Sequence, residues 1–304
     1  MKILLIIVLV VVVLILAASY YCMYYLLVPK VRSMEEGRIR ETEWGNWGDY
    51  DSYEKEDFAI KSFDDYVLHG TLVKNTLPNS DPKKFAIITH GYTSNRYGAL
   101  RYIPTFYELG YQICIYDDRH HGENKRCYTT MGYKEQHDLI EVKNYLQDRF
   151  GSDIKIGILG ESLGCAISLL SLALTQDFMY CIADCGYADL GILVDDLIGV
   201  QMHLPKFLAR LGDVWCRIIH GFSFYAIKPY KALRDNKVPI LFIHGADDDF
   251  IDKKHSRMNY DAAVSCEKEI HFFPGANHAE SCMSDREGYK KLVQKFILEH
   301  EKKC

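Results

Sequence analysis

The sequence predicts an α/β fold: a mostly parallel, eight-stranded sheet with helices on both faces, behind one long apolar N-terminal helix. Three observations carry this. Apolar β-rich runs alternate with helical patterns along most of the chain. A Gly-Glu-Ser-Leu-Gly turn sits directly between one such strand and one such helix. And the first 28 residues hold no charge beyond Lys2 and the α-amine.

The strand runs are Phe85–Thr89, Tyr111–Tyr116, Ile154–Leu159, Tyr180–Ala183, Ile240–His244 and Glu269–Phe273. Their continuous apolar character fits strands buried on both faces, as in a parallel sheet. Helical periodicity at Arg96–Leu109, Lys134–Arg149, Ser162–Leu174 and Arg286–His300 separates them. Upstream, Phe58–Lys61 and Val67–Lys74 flank Ser62-Phe63-Asp64-Asp65, which reads as a hairpin. Leu190 to Lys237 breaks the alternation with helical periodicity alone. It predicts a helical cap over 188–237, inserted after the sixth strand at the ligand-crevice edge of the sheet.

The chain of 304 residues fits one domain of about 250 residues plus the apolar segment. Net charge is −5 and no basic stripe interleaves with aromatics, so nucleic-acid binding has no electrostatic footprint. None of the ten cysteines forms a C-x-x-C pair or a zinc-spaced cluster, so they read as buried thiols.

Residues 1–29 read as a transmembrane anchor. Ile3 to Val28 would span roughly 39 Å as a helix at about 1.5 Å per residue, enough for a hydrocarbon core of about 30 Å. Tyr20, Tyr21, Tyr24 and Tyr25 would sit at headgroup level. A cleaved signal needs a shorter apolar region of about 7–15 residues. Lys30, Arg32, Arg38 and Arg40 follow the span, and positive-inside counting favours a cytoplasmic domain. Anchors of this layout also export their C-terminal domain, so both sides stand. Residues 30–53 are polar and read as a linker, and 54–304 as the folded domain.

Gly160-Glu161-Ser162-Leu163-Gly164 follows a strand and opens a helix. That context makes Ser162 a candidate nucleophile: a strained turn presents the hydroxyl, and small residues two before and two after let strand and helix approach. A serine needs a base and an acid to orient it. Asp248 follows the Ile240 strand within an Asp247-Asp248-Asp249 turn, and His278 lies in the loop after the last strand. The order Ser, acid, His is satisfied.

On these motifs, residues 54 to 300 resemble an α/β-hydrolase family serine hydrolase. The likeness is to the bacterial branch of serine aminopeptidase-like, cinnamoyl-esterase-like and acylglycerol-lipase-like proteins. The resemblance implies that Asp248 is the acid, with Asp247 and Asp249 as neighbours to test, and that His278 is the base. It implies an oxyanion hole from the backbone N–H groups of Leu163 and Tyr92, the latter after His90-Gly91. His90 would brace that loop. Asp117-Asp118-Arg119-His120-His121-Gly122 resembles the family's D-x-R-G-x-G, with His120 in place of a small residue. The adjacent His pair lacks a third ligand, so no metal site is expected, and the chemistry needs no cofactor. Met202, Leu204, Phe207 and Leu208 of the cap would line an apolar acyl pocket, or form only the cap's own core.

The expected activity is hydrolysis of a carboxylic ester, on an apolar or amphipathic small molecule, beside a bilayer entered by residues 3–28. The same triad serves peptidases, thioesterases and acyltransferases. A membrane-tethered binding protein that kept the fold is the non-enzymatic alternative. Dehalogenase and epoxide hydrolase relatives carry Asp where Ser162 stands.

Overall fold

The structure, a computed structural model, describes residues 1–301, so Cys304 lies outside the described residues. Eight strands form one sheet: β1 (Glu54–Lys61), β2 (Val67–Lys74), β3 (Lys84–Thr89), β4 (Gln112–Tyr116), β5 (Lys155–Glu161), β6 (Cys181–Asp184), β7 (Ile240–Gly245) and β8 (Lys268–Phe273). Their order is β1-β2-β4-β3-β5-β6-β7-β8. β2 pairs antiparallel with β1 and β4, and every other pairing is parallel. This is the α/β-hydrolase fold.

The helices, in chain order, are α1 (Lys2–Leu27), α2 (Met34–Glu43), α3 (Trp47–Ser52), α4 (Ile103–Tyr107), α5 (Glu135–Phe150), α6 (Leu163–Ser171), α7 (Leu190–Asp196), α8 (Phe207–His220), α9 (Pro229–Ala232), α10 (Lys254–Ala262), α11 (Ser281–Ser284) and α12 (Arg286–Glu301). The region expected as one helix over Arg96–Leu109 splits. A 3-10 segment, Arg96–Tyr102, precedes α4, which restarts at Pro104 in its first turn.

The chain divides into two compact units, Lys30–Ala188 with Pro229–Cys304, and Met1–Pro29 with Asp189–Lys228. In the larger unit, Ala86, Ile88, Ile113, Ile115, Leu159 and Ile243 share one core with Phe106 of α4 and Val293 and Phe296 of α12. Alternate strand residues such as Ile87, Cys114 and Ile158 are also buried, so both faces of the sheet are covered.

Residues 30–53, expected as a linker, are folded within this unit. Ser33 and Glu36 form a reciprocal capping box at the start of α2. Glu41 is buried against Arg101, and Tyr50 enters the core. The polar composition that suggested a linker is consumed by these caps and ion pairs.

In the smaller unit, α1 packs on α8. Ser19, Cys22, Met23, Leu26 and Leu27 are its buried residues, whereas Ile3 to Leu14 are exposed. A Cβ on Gly212 would stand 3.1 Å from the Ser19 carbonyl oxygen. Trp215 Nε1 donates to Ser19 Oγ at 3.1 Å, and Ser19 Oγ donates to the Leu16 carbonyl at 2.8 Å. The unit takes Asp189–Lys228 of the expected 188–237 cap; α9 belongs to the larger unit. Nine cysteines fall among the described residues, all free thiols.

Candidate active site

The turn at Ser162 follows from three glycines. β5 ends at Glu161 and α6 begins at Leu163, so one residue reverses the chain. Ser162 adopts φ +56° and ψ −111°, a left-handed conformation that costs an L-residue on the order of 1–3 kcal/mol. A Cβ on Gly160 would lie 2.1 Å from the Gly164 carbonyl oxygen, and one on Gly164 would lie 2.2 Å from the Thr89 carbonyl oxygen. A Cβ on Gly186 would meet Cys165 Sγ at 2.3 Å. Strand, turn and helix therefore approach backbone to backbone. The Ser162 N–H donates to the Asp184 carbonyl at 2.9 Å, tying the turn to β6.

The structure brings Ser162, His278 and Asp248 together. His278 Nε2 lies 2.8 Å from Ser162 Oγ, and its Nδ1 lies 2.8 Å from Asp248 Oδ2. The carboxylate can only accept, so Nδ1 carries the proton and Nε2 offers its lone pair to the hydroxyl. Asp248 Oδ1 accepts the backbone N–H groups of Phe250 at 3.0 Å and Ile251 at 2.8 Å. Burial works to raise its pKa, but hydrogen bonds from His244 and His278 win and hold it well below the usual carboxylate range. Asp248 is therefore a fixed anion at the back of the imidazole. Asp247 and Asp249 do not share these contacts: both are exposed on the turn.

His244 has a part that its place in a His-Gly turn did not suggest. It is fully buried, and its Nε2 lies 3.1 Å from Asp248 Oδ2 and 2.7 Å from the Ile251 carbonyl. A carbonyl only accepts, so Nε2 holds the proton, while Nδ1 faces Ser256 Oγ at 2.6 Å. His244 thus clamps both Asp248 and the turn that carries it. The only sequence signal was four-residue spacing from Asp248.

The loop after β3 is braced from behind. His90 Nδ1 donates to the Gly91 carbonyl at 2.8 Å, and its Nε2 accepts the Asp118 N–H at 3.0 Å. Burial pulls its pKa below the usual imidazole value, keeping it neutral. A Cβ on Gly91 would stand 3.4 Å from Ser162 Cβ, so this loop passes beside Ser162. Tyr92 lines the same cleft as Ser162. Leu163 opens α6, and first-turn N–H groups have no intrahelical partner. His120 sits at φ +72° where the resembled family has a small residue. Both ring nitrogens of His121 are engaged, Nδ1 with the Arg119 carbonyl at 2.7 Å and Nε2 with the Thr93 N–H at 3.3 Å.

The cleft holds about 280 Å³, and Ser162, His278, Tyr92, Phe250 and three arginines line it. The lining belongs to the larger unit alone. Met202, Leu204, Phe207 and Leu208 are not part of it: Leu208 is buried in the cap unit and Phe207 is exposed there. A larger cavity of about 390 Å³ lies at Asp64, Tyr66, Arg119 and Cys127 and is lined by none of Ser162, Asp248 and His278. Its Arg119 is already paired with Asp64 and Asp138.

Residues 105–304 match the family model described as the prolyl oligopeptidase family. The chain is 29% identical over 279 residues to the uncharacterized protein YqkD of Bacillus subtilis, covering 90% of each chain. It is 24% identical over 176 residues to the α/β hydrolase domain-containing protein WAV2 of Arabidopsis thaliana, covering 55% of this chain and 56% of that one. Among solved structures, it is similar to the Pyrococcus furiosus esterase Pf2001, with TM-score 0.67, 23% identity, and 86% of this chain and 94% of that chain covered. An acylaminoacyl peptidase of Pyrococcus horikoshii gives TM-score 0.62 and 17% identity over 84% of this chain and 43% of that one.

Proposed function

The chain belongs to the prolyl oligopeptidase family and is an α/β-fold serine hydrolase, and from that premise we propose that it cleaves carboxylic esters through an acyl-enzyme on Ser162. The observation that carries this is the continuous hydrogen-bond path from Ser162 Oγ through His278 to Asp248, each link 2.8 Å. His278 Nε2 takes the hydroxyl proton as Oγ attacks the ester carbonyl. The N–H groups of Leu163 and Tyr92 receive the oxyanion. His278 then protonates the leaving alkoxide, the C–O bond breaks, and the acyl group stays on Oγ. Water, deprotonated by the same Nε2, releases the acid and restores Ser162. Asp248 stabilises the imidazolium at each transfer.

Ester rather than peptide is supported by two features. The likeness to the esterase runs over 94% of that chain, against 43% of the peptidase. The cleft of about 280 Å³ is also small for an extended peptide.

α1 is long and apolar enough to cross a membrane, with mean hydropathy 3.3 over its apolar window. Its first half exposes Ile3 to Leu14. We read it as an uncleaved anchor that keeps the hydrolase at a bilayer and suits amphipathic substrates. Alkaline carbonate extraction should leave the chain in the membrane pellet; release into the supernatant would remove the anchor.

The test of the activity is a panel of 4-nitrophenyl esters of graded chain length beside acyl-aminoacyl 4-nitroanilides, with detergent-solubilised protein. Ester turnover at least about 100-fold above anilide turnover fits the proposal. Faster anilide cleavage would make it a peptidase.

A further inference from the structure

The segment between the apolar helix and β1 carries charge into the cleft. The Arg32 N–H donates to the Thr93 carbonyl at 3.0 Å, and Asn95 Nδ2 donates to the Ser33 carbonyl at 2.9 Å. Gly37 faces Asn95 so closely that a Cβ there would stand 2.6 Å from Nδ2. The start of α2 is thus fastened to the loop that passes beside Ser162. Arg32 and Arg40 consequently line the same 280 Å³ cleft as Ser162 and His278, together with Arg101.

The three guanidiniums are not equivalent. Arg101 is buried between two carboxylates, Glu41 at 3.1 Å and Glu161 at 3.4 Å. Those carboxylates are engaged further, Glu41 by Asn46 Nδ2 at 2.6 Å and Glu161 by the Tyr102 hydroxyl at 2.6 Å. Arg32 and Arg40 have no carboxylate within 4.0 Å among the described residues. Arg40 lies instead over the Trp44 ring, 4.1 Å from its centroid. Both are half-buried. Burial, and then repulsion among the arginines, pulls their pKa values below the usual guanidinium value despite Glu161 and Glu41. Three arginines against one lining glutamate leave the cleft wall cationic, on a chain whose net charge is −5. Two forked donors held without an acceptor, beside a nucleophile, match an oxyanion group such as carboxylate or phosphate.

We propose that Arg32 and Arg40 bind an anionic group, carboxylate or phosphate, on the acyl substrate whose carbonyl meets Ser162. This rests on the serine-hydrolase reading and narrows its substrate class to anionic esters. The anion can belong to a soluble ester or to a lipid headgroup.

The experiment compares wild type, the double variant R32Q/R40Q, and R38Q, each as the full chain in one detergent. Arg38 is exposed on α2 and absent from the cleft, so R38Q changes the charge without touching the site. The soluble pair is the mono-4-nitrophenyl ester of adipic acid and its methyl-capped neutral counterpart. The lipid pair is lysophosphatidic acid and monoacylglycerol with the same acyl chain. Wild type and R38Q should favour the anionic member of at least one pair by roughly tenfold or more in kcat/KM, as charge-assisted hydrogen bonds do. R32Q/R40Q should lose most of that ratio. Preference confined to the lipid pair assigns the anion to a headgroup, and preference in the soluble pair to a soluble ester. A ratio near one in wild type, or an unchanged ratio in R32Q/R40Q, overturns the proposal. Thermal stabilisation by inorganic phosphate, present in wild type and R38Q and lost in R32Q/R40Q, reads the site without turnover. Phosphate binding without hydrolysis would keep the anion site and sink the Ser162 reading; hydrolysis of the neutral esters without anion preference or phosphate binding would do the reverse.

Discussion

The larger unit and the smaller one bury their side chains by different means. In the larger unit, strands with apolar residues on both faces stack helices against a continuous sheet, and backbone meets backbone at Gly160 and Gly164. In the smaller unit, α1 and α8 meet through Gly212, Ser19 and Trp215, while Val214, Ile218 and Ile219 of α8 stay exposed. The second unit holds a helix that is apolar all round against an amphipathic one, with small residues and one buried hydroxyl between them, the packing mode of helices in lipid.

Substitutions at glycine break the comparison most sharply. Gly164→Ala puts a Cβ 2.2 Å from the Thr89 backbone oxygen, which no rotamer can relieve. Its cost should rival the total stability of a domain, about 5–15 kcal/mol, and leave little folded protein by circular dichroism. Gly221, after α8, has φ +76° but nothing within 4 Å of its Cβ position. Gly221→Ala should cost only about 1 kcal/mol in a denaturant titration, from the left-handed backbone alone. Equal losses at the two positions would erase the contrast.

Asp248→Asn comes next. The amide cannot hold the imidazole in the tautomer that leaves Nε2 free, so ester kcat should fall roughly 10³- to 10⁴-fold with the fold intact. A loss under about tenfold would mean that Asp248 does not orient His278.

A smaller effect lies under the elbow. Asp184 is buried on β6, and its Oδ2 accepts the Tyr289 hydroxyl at 2.9 Å. Burial, then the Glu161 charge, pushes its pKa up to about 7. In the unfolded chain the same group ionises near about 4. Between those values the folded state binds the extra proton, so stability falls as pH rises from about 4 to 7, on the order of a few kcal/mol in full. Asp184→Asn keeps an acceptor for Tyr289 and should flatten that slope in thermal melts at pH 5 and pH 7.5. An unchanged slope would place the titration elsewhere.

The smallest effect tests the lesser unit. Trp215→Phe removes the donor to Ser19 and should cost about 1 kcal/mol without changing ester kcat.

What the sequence made legible follows the same division. The Ser162 elbow and the strand and helix runs are local patterns, because a strand, a turn and a helix each report on neighbours a few residues away, whereas Asp248 and His278 lie far along the chain from Ser162 and were reached through the family resemblance. The fold of residues 30–53 was hidden, because its partners are remote: Glu41 meets Arg101, and Ser33 meets Asn95. The polar residues of such a segment look alike whether solvated or paired. For Met202, Leu204, Phe207 and Leu208 two readings stayed open, a substrate pocket or the cap's own core, because hydrophobicity alone cannot distinguish a cap's own packing from a cavity wall. His244 carried no periodic signal, and its bond to Asp248 depends on how the turn after β7 curls.

The central claim is that Ser162 is an activated nucleophile. Labelling by a fluorophosphonate probe, on detergent-solubilised wild type and Ser162→Ala at matched folding, tests it most directly. Stoichiometric labelling of wild type and none of the variant is expected. Folded wild type that stays unlabelled, or a variant labelled equally well, would contradict it.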